Sequence, residues 1–383
     1  MHRDTRLGNQ WMEYQGSKNW EGLLHPLNDN LQAEILRYGK FVEATYNSFD
    51  FDPSSPTYAT CRFSKQSLLS KSGLQKSGYT VTKNLHATSG VRLPRWTKRL
   101  PRWVSNRSSW IGYVAVCEDE EEIARLGRRD VVVAFRGTAT CMEWVENLRA
   151  SLTHLPNSST TSNVAVQKGF LSLYTSNSST SCSLQDEIRE EISRIIESYG
   201  CTDRNPLSLT ITGHSLGAAL ATLAAYDITT MFNHGQLVTV ISFGGPRVGN
   251  QSFRHHIEKR GSKVLRIVNS NDIITKVPGF VIEDDVADDE HVQLAGVCLP
   301  SWLTKSVEHT KWVYADVGSE LQLCSGDSPL ISSRSNTNVS TCHDLETYLQ
   351  LVKSCINSTA ECPLKKTAKK LLSRESSRDL SVT

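Results

Sequence analysis

Gly213-His214-Ser215-Leu216-Gly217 lies between an apolar and β-branched run at residues 207–212 and an alanine- and leucine-rich run at residues 218–225. The first run predicts a strand and the second predicts a buried helix. A G-x-S-x-G serine on a strand-to-helix turn is typical of a nucleophile elbow, where a base can reach the hydroxyl. The two glycines lack a β-carbon, so strand and helix can approach closely. The stretch predicts a nucleophile at Ser215; the alternative is a Ser/Gly turn that fits the pattern by chance.

The segments around this turn alternate between strand and helix patterns. Apolar runs predict strands at residues 111–117, 130–135, 238–243 and 264–269. Helical spacing of apolar residues predicts helices at residues 31–46, 184–199 and 252–260, the second with Ser183 and Gly200 as caps. Such alternation predicts an α/β fold with a mostly parallel central sheet and helices on both faces.

Other segments have weaker patterns. Residues 64–89 are rich in Ser, Thr and Lys, which indicates loops and short turns. The acidic run at residues 118–122 indicates a solvated turn. Residues 312–315 and 320–323 indicate a hairpin, and a helical run follows His343.

Composition sets outer limits on the function. The chain has 383 residues, of which 38% are hydrophobic and 21% charged, and its formal net charge is +2, so nothing indicates a nucleic-acid partner. No run is long and apolar enough to span a bilayer. The ten cysteines are scattered without a CxxC pair, so we expect mostly reduced thiols and neither a metal site nor a cofactor. An oxidising compartment is the alternative.

A serine nucleophile needs a carboxylate and a histidine, which on this kind of scaffold follow in the order Ser, Asp, His. Asp272 is the best carboxylate, because it comes just after the strand predicted at residues 264–269. Four competitors lie in a dense acidic loop where a solvated role is expected: Asp284, Asp285, Asp288 and Asp289. Position alone leaves three histidines open, with a modest preference for the last: His291, His309 and His343. His214 is too close to the serine to act as its base.

An oxyanion formed at Ser215 would need two hydrogen-bond donors. The backbone N–H of Leu216 directly follows the nucleophile. Thr138 follows the strand at residues 130–135 and could contribute both its backbone N–H and its hydroxyl.

Residues 92–107 contain six basic residues, two tryptophans and no acidic residue. Such a segment suits a lipid interface, because its cations can meet anionic head groups while its indole rings lie at the head-group level. The alternative is a solvated loop whose tryptophans pack on the domain.

Several motifs occur in the order found in the class 3 lipases: FRGT at residues 135–138, a Trp144-containing stretch, GFL at 169–171, GHSLG, FGGPRVGN at 243–250, Asn271-Asp272 and CHDLE at 342–346. With the early stretch at residues 11–27, the chain resembles the plant class I phospholipases A1 over residues 11–363. The resemblance implies an α/β-hydrolase fold and a triad of Ser215, Asp272 and His343. It also implies oxyanion donors at Thr138 and Leu216 and a lid near residues 139–150, with Trp144, Val145 and Leu148 on one side.

The resemblance further implies a function and a division of the chain. Residues 1–105 would form a helical and loop region that packs on the core, residues 106–357 the catalytic domain, and residues 358–383 a flexible basic tail. Such enzymes cleave the sn-1 acyl ester of glycerolipids at a membrane or lipid-droplet surface, without a cofactor, through an acyl-enzyme. Plastid location is expected from the resemblance, with the cytoplasm as the alternative because residues 1–16 do not resemble a transit peptide. A catalytically silent scaffold protein is the alternative function.

Overall fold

The computed structural model describes residues 6–88, 108–138, 151–155, 163–177, 182–200, 205–232, 237–278, 280–283, 291–294, 297–298, 313–323 and 339–355. The strands of these residues are, in chain order, β1 Tyr79–Thr88, β2 Ser108–Cys117, β3 Arg129–Phe135, β4 Leu152–His154, β5 Ala165–Gln167, β6 Leu207–His214, β7 Leu237–Phe243, β8 Lys263–Asn269, β9 Phe280–Glu283, β10 His291–Leu294, β11 Val297–Cys298, β12 Val313–Tyr314 and β13 Ser319–Leu323. The α-helices are α1 Trp11–Tyr14, α2 Asp29–Ser48, α3 Leu68–Lys71, α4 Glu120–Leu126, α5 Lys168–Thr175, α6 Leu184–Tyr199, α7 Leu216–Met231, α8 Gln251–Lys259, α9 Val339–Cys342 and α10 Leu345–Ser354.

A seven-stranded sheet in the order β1-β2-β3-β6-β7-β8-β13 forms the centre of the molecule. The five strands from β3 to β13 run parallel, whereas β1 and β2 are antiparallel additions at one edge. The inner strands β3, β6 and β7 are almost wholly buried, because helices cover both faces of the sheet; β3 is apolar from Val131 to Phe135, whereas β6 and β7 also bury several serines and threonines. The predicted α/β architecture with a mostly parallel sheet is confirmed.

Helices form a layer on each face of the sheet. One apolar core includes residues of α1, α2, α3 and α10, and the second includes residues of α5, α6, α7 and α8. Helix α2 begins where the sequence predicts, because the Asn28 side chain accepts hydrogen bonds from the backbone N–H groups of Asn30 and Leu31. In α7, small alanine side chains allow the helix axis to lie close to the sheet.

Helix α2 is fixed to the sheet near its N-terminal end by a buried charge network. Arg37 contacts Glu34 at 2.8 Å and Asp130 at 3.1 Å, and Arg128 contacts Glu34 at 2.8 Å. Arg128 and Asp130 lie where β3 begins. These contacts therefore anchor α2 at the end of the parallel strands that lies opposite the elbow. The far end of α2 therefore has a defined position near the carboxyl ends of the parallel strands.

The structure contradicts three of the weaker expectations. Residues 79–88 form strand β1 rather than loops; one side of this edge strand stays accessible, so its sequence keeps polar residues. The acidic run includes the start of helix α4, because Asp119 caps it and acidic groups favour a helix N-terminus. Instead of a hairpin, β12 pairs with β9 and β13 pairs in parallel with β8. Each of these two strands therefore pairs with a strand that is distant in sequence instead of with the other.

Candidate active site

The turn at Ser215 has a strained backbone. Its φ of 58° and ψ of −125° lie in a region that residues with a β-carbon rarely adopt. Ser215 is the single residue between the end of β6 and the start of α7 at Leu216. Its backbone N–H donates to the Phe243 carbonyl at 3.0 Å. The predicted strand, turn and helix are confirmed, and the strained residue of the turn is Ser215 itself.

Close packing around the turn explains its two glycines. A β-carbon at Gly213 would collide with the backbone of Gly217. A β-carbon at Gly217 would lie 2.6 Å from the carbonyl oxygen of Arg136 and 2.7 Å from that of Phe135. The G-x-S-x-G spacing is therefore required by three backbone segments that meet behind Ser215.

Asp272 and His343 form a short, buried contact. The His343 Nδ1 atom lies 2.6 Å from Asp272 Oδ2, and the two side chains are 6% and 0% exposed. Asp272 follows β8, and its Oδ1 accepts the backbone N–H of Ile274 at 2.9 Å. His343 precedes α10, and the Asn269 side chain holds the neighbouring Cys342 carbonyl at 2.9 Å. Residues 71 positions apart in sequence thus meet as an oriented carboxylate–imidazole pair.

Tyr348 completes the surroundings of the carboxylate. Its hydroxyl donates to Asp272 Oδ2 at 2.6 Å and accepts the Asn269 backbone N–H at 3.2 Å. Burial and the nearby Asp272 carboxylate raise the pKa of Tyr348 well above its usual value, so the phenol keeps its proton. The sequence predicts only a helical run after His343, and nothing in that pattern indicates this contact of Tyr348.

His214 connects the elbow to two other segments. Its Nδ1 lies 2.7 Å from the Tyr46 hydroxyl, and its Nε2 lies 2.7 Å from the His343 carbonyl oxygen. A carbonyl can only accept, so Nε2 carries the proton and Nδ1 accepts from Tyr46. Burial, with a smaller contribution from His343, lowers the pKa of His214 to about 3. The neutral imidazole therefore links the elbow to Tyr46 and to the His343 carbonyl, and it does not act on Ser215 as a base.

The FRGT loop at residues 135–138 passes directly beside Ser215. A β-carbon at Gly137 would lie 3.1 Å from Ser215 Cβ, and the Gly137 N–H donates to the Tyr46 hydroxyl at 2.9 Å. Thr138 follows, and its hydroxyl is buried with no hydrogen-bond partner within the described part of the chain. Tyr46 therefore contacts both this loop and His214, a role that the apolar spacing of α2 could not reveal.

Some predicted site residues lie outside the described ranges. These are the predicted lid residues Trp144, Val145 and Leu148, the basic tryptophan-containing segment at residues 92–107, the basic tail at 358–383, and the competing groups Asp284, Asp285, Asp288, Asp289 and His309. His291 lies on β10, in a separate four-stranded sheet of order β11-β10-β9-β12. In the described ranges, no group of three or more His, Cys, Asp or Glu residues is arranged to hold a metal ion. No helix found there is long and apolar enough to cross a membrane.

The parallel sheet, the strained serine turn and the Asp–His pair define the class of protein: a serine hydrolase of the α/β-hydrolase fold. Comparison with known families narrows this class. Residues 132–282 match the model of the family described as Lipase (class 3). The chain is 60% identical over 377 residues to the chloroplastic phospholipase A(1) DAD1 of Arabidopsis thaliana, covering 97% of this chain and 81% of that protein.

The chain is also similar to a protein named as a galactolipase and to a solved lipase structure. The chloroplastic galactolipase DONGLE of Arabidopsis thaliana is 42% identical over 359 residues, covering 90% of this chain and 70% of that protein. A structure of a Rhizomucor miehei lipase propeptide complex aligns with a TM-score of 0.48 and 16% identity, covering 87% of this chain and 79% of that chain. The protein belongs to the class 3 lipase family, in its plant phospholipase A1 group.

Proposed function

We propose that the protein is a lipid acyl hydrolase that cleaves the sn-1 acyl ester of glycerolipids and releases a free fatty acid. The observation that supports this most is the buried 2.6 Å contact between His343 and Asp272, together with the strained serine turn at Ser215. Membership of a family whose similar members are named phospholipase A1 and galactolipase supports the substrate class.

In the proposed mechanism Ser215 forms a covalent bond to the acyl group, while His343 and Asp272 accept and stabilise the proton that Ser215 releases. His343 takes the Ser215 proton at Nε2 as the serine oxygen attacks the acyl carbonyl. Asp272 holds the proton at Nδ1 and stabilises the imidazolium. The proton then passes to the leaving alcohol, and water, activated by the same histidine, releases the fatty acid from the acyl-enzyme. Each step uses only groups of this chain and the substrate, so the proposed mechanism requires no cofactor.

The oxyanion would be held by donors on two segments. Leu216 begins the 16-residue helix α7, whose N-terminal dipole favours negative charge at this position. Thr138 would supply its backbone N–H and its hydroxyl, which is buried without a partner in the ranges described. A buried hydroxyl without a hydrogen-bond partner costs free energy unless a ligand binds it. The burial of the Thr138 hydroxyl therefore supports a role in binding the reacting carbonyl.

The setting of the reaction also belongs to the proposal. We expect a membrane or lipid-droplet surface as the source of substrate, with residues 139–150 acting as a lid through Trp144, Val145 and Leu148. We place the protein in the chloroplast, since the two relatives described above are named as chloroplastic.

The test uses lipids that carry different acyl chains at sn-1 and sn-2. Purified protein would be assayed on phosphatidylcholine, monogalactosyldiacylglycerol and triolein side by side, with Ser215→Ala as the matched inactive variant. Release of the sn-1 chain by the wild type and none by Ser215→Ala is expected. An inactive wild type would point to a lipase-like scaffold, and release of the sn-2 chain would contradict the regiochemistry.

A further inference from the structure

Arg136 is a buried cation next to the proposed oxyanion site. Its side chain follows β3, and the residue is 7% exposed. Its Nη1 donates to the Gly137 carbonyl at 2.7 Å, Nε to the Trp110 carbonyl at 2.9 Å, and Nη2 to the Ser109 hydroxyl at 2.8 Å. The guanidinium also lies 3.7 Å from the Phe49 ring centroid. Among the described residues, no carboxylate forms an ion pair with it.

A buried arginine without a carboxylate is unusual, because desolvation opposes its charge. Burial lowers the pKa of Arg136 to about 10, with the phenols of Tyr46 and Tyr58 acting in the opposite direction. The group nevertheless remains protonated at neutral pH. Its charge is directed at neutral acceptors, two of which are backbone carbonyls. The cation is therefore retained at this position despite an unfavourable environment.

One of these carbonyls, that of Gly137, belongs to the peptide that also carries the N–H of the proposed oxyanion donor Thr138. The Gly137 C=O and the Thr138 N–H are part of the same planar amide. A cationic donor on the oxygen of an amide draws electron density from its nitrogen, which makes the N–H a stronger donor. The N–H of the preceding peptide is held by Tyr46 at 2.9 Å, so Gly137 is fixed at both its N–H and its C=O.

We propose that Arg136 is a positioning residue that orients and polarises the Gly137–Thr138 peptide, so that the Thr138 N–H stabilises the oxyanion. This inference rests on the proposed function, because it presumes an oxyanion at Ser215. Arg136 does not touch the substrate in this account. It acts through one peptide unit, and its charge favours the tetrahedral intermediate over the uncharged ester.

The size of the effect follows from geometry. A donor at Gly137 O and an oxyanion on the Thr138 N–H would place the guanidinium about 7 Å from the negative charge, by standard amide and hydrogen-bond lengths. At an effective dielectric constant of about 20, that separation corresponds to a rate effect on the order of 10- to 100-fold. The affinity for the uncharged ester should change much less.

The experiment compares Arg136→Met and Arg136→Lys with a matched control, Arg129→Met. Arg129 begins the same strand, lies 4.8 Å from the Tyr199 ring centroid and donates to the Cys117 carbonyl at 3.0 Å, but it sits about 20 Å away along β3. Each variant would be measured for kcat, KM, Tm and inhibition by a long-chain trifluoromethyl ketone, whose serine adduct carries an oxyanion.

Arg136→Met should lose 10- to 100-fold in kcat and a similar factor in ketone affinity, with KM changed less than about threefold. Arg136→Lys should recover part of both losses, and Arg129→Met should keep wild-type kcat and ketone affinity even if its Tm falls. Wild-type kcat and ketone affinity in Arg136→Met would overturn the inference, whatever its Tm. If Arg136→Met does not fold, Arg136→Gln, which is neutral but keeps an N–H donor, decides: ketone affinity unchanged beside a lower Tm would mean packing alone.

The two proposals fail in different ways. A wild-type protein that neither hydrolyses ester nor binds the ketone refutes the proposed function, and the inference with it. A wild type that does both, beside an unimpaired Arg136→Met, refutes only the role of Arg136.

Discussion

Acid should destabilise the fold through His214, which is buried as a neutral imidazole between Tyr46 and the His343 carbonyl. Its pKa is lowered to about 3, whereas an unfolded histidine titrates near 6.5. Between these two values the unfolded chain binds a proton that the folded chain does not. The stabilisation is therefore complete above about pH 6.5 and is lost as the pH falls towards 3.

The magnitude follows from the difference in pKa. Each pH unit inside the window costs about 1.4 kcal/mol, so lowering the pH from about 7.5 to about 5 should remove about 2 kcal/mol of unfolding free energy. Glu34, whose pKa is lowered to about 2 by its arginine neighbours, loses its contribution only below about 4.5. Measurements above about pH 5 therefore exclude the contribution of Glu34. Burial also lowers the pKa of His256, so the contribution of His214 is read from the difference between the wild type and a variant that lacks this histidine.

Urea unfolding at several pH values between about 7.5 and 5 gives the free energy directly. The matched variant is His214→Gln, since glutamine can accept from Tyr46 and donate to the His343 carbonyl but does not titrate. The wild type should lose about 2 kcal/mol more than His214→Gln over this range. Parallel pH profiles for the two proteins would refute the assignment of His214 as the buried neutral group.

Three further substitutions test the scaffold. Tyr348→Phe removes the 2.6 Å bond to Asp272 and should lower the free energy of unfolding by about 2 kcal/mol, measured in urea, and reduce kcat; unchanged kcat would contradict the role of the phenol. Gly217→Ala places a methyl group 2.6 Å from the Arg136 carbonyl oxygen and should destabilise by about 3 kcal/mol or more, so a variant as stable as the wild type would refute the packing argument. Asn28→Ala removes the cap of α2 and should cost about 1 kcal/mol without changing kcat, as thermal unfolding and an ester assay would show.

Local patterns were sufficient for much of this structure. The elbow, the inner strands and helix α6 follow from apolar runs, caps and glycines within a few residues of one another. The motifs and the family resemblance predict that Asp272 and His343 act together, and the fold brings their side chains to 2.6 Å. The edge strand β1 escaped detection because Lys83 and the irregularity between Val81 and Lys83 interrupt its alternation of apolar and polar residues.

Contacts between distant segments could not be predicted in the same way. Tyr46 reaches His214 across 168 positions and Gly137 across 91, and no local pattern encodes either meeting. Tyr348 reads as one more apolar residue of α10 until the turn beyond β8 brings Asp272 to its hydroxyl. Arg136 belongs to a motif, but its contact with the Trp110 carbonyl follows only from the pairing of β2 with β3.

The central claim is that Ser215 performs the chemistry, and active-site labelling tests it most directly. The protein would be titrated with a fluorophosphonate probe, the adduct located by peptide mass spectrometry, and residual ester hydrolysis followed in the same samples, with Ser215→Ala in parallel. We predict one adduct, on Ser215, with activity lost in proportion to labelling and neither label nor activity in Ser215→Ala. Hydrolysis that persists in the fully labelled protein or in Ser215→Ala would contradict the account.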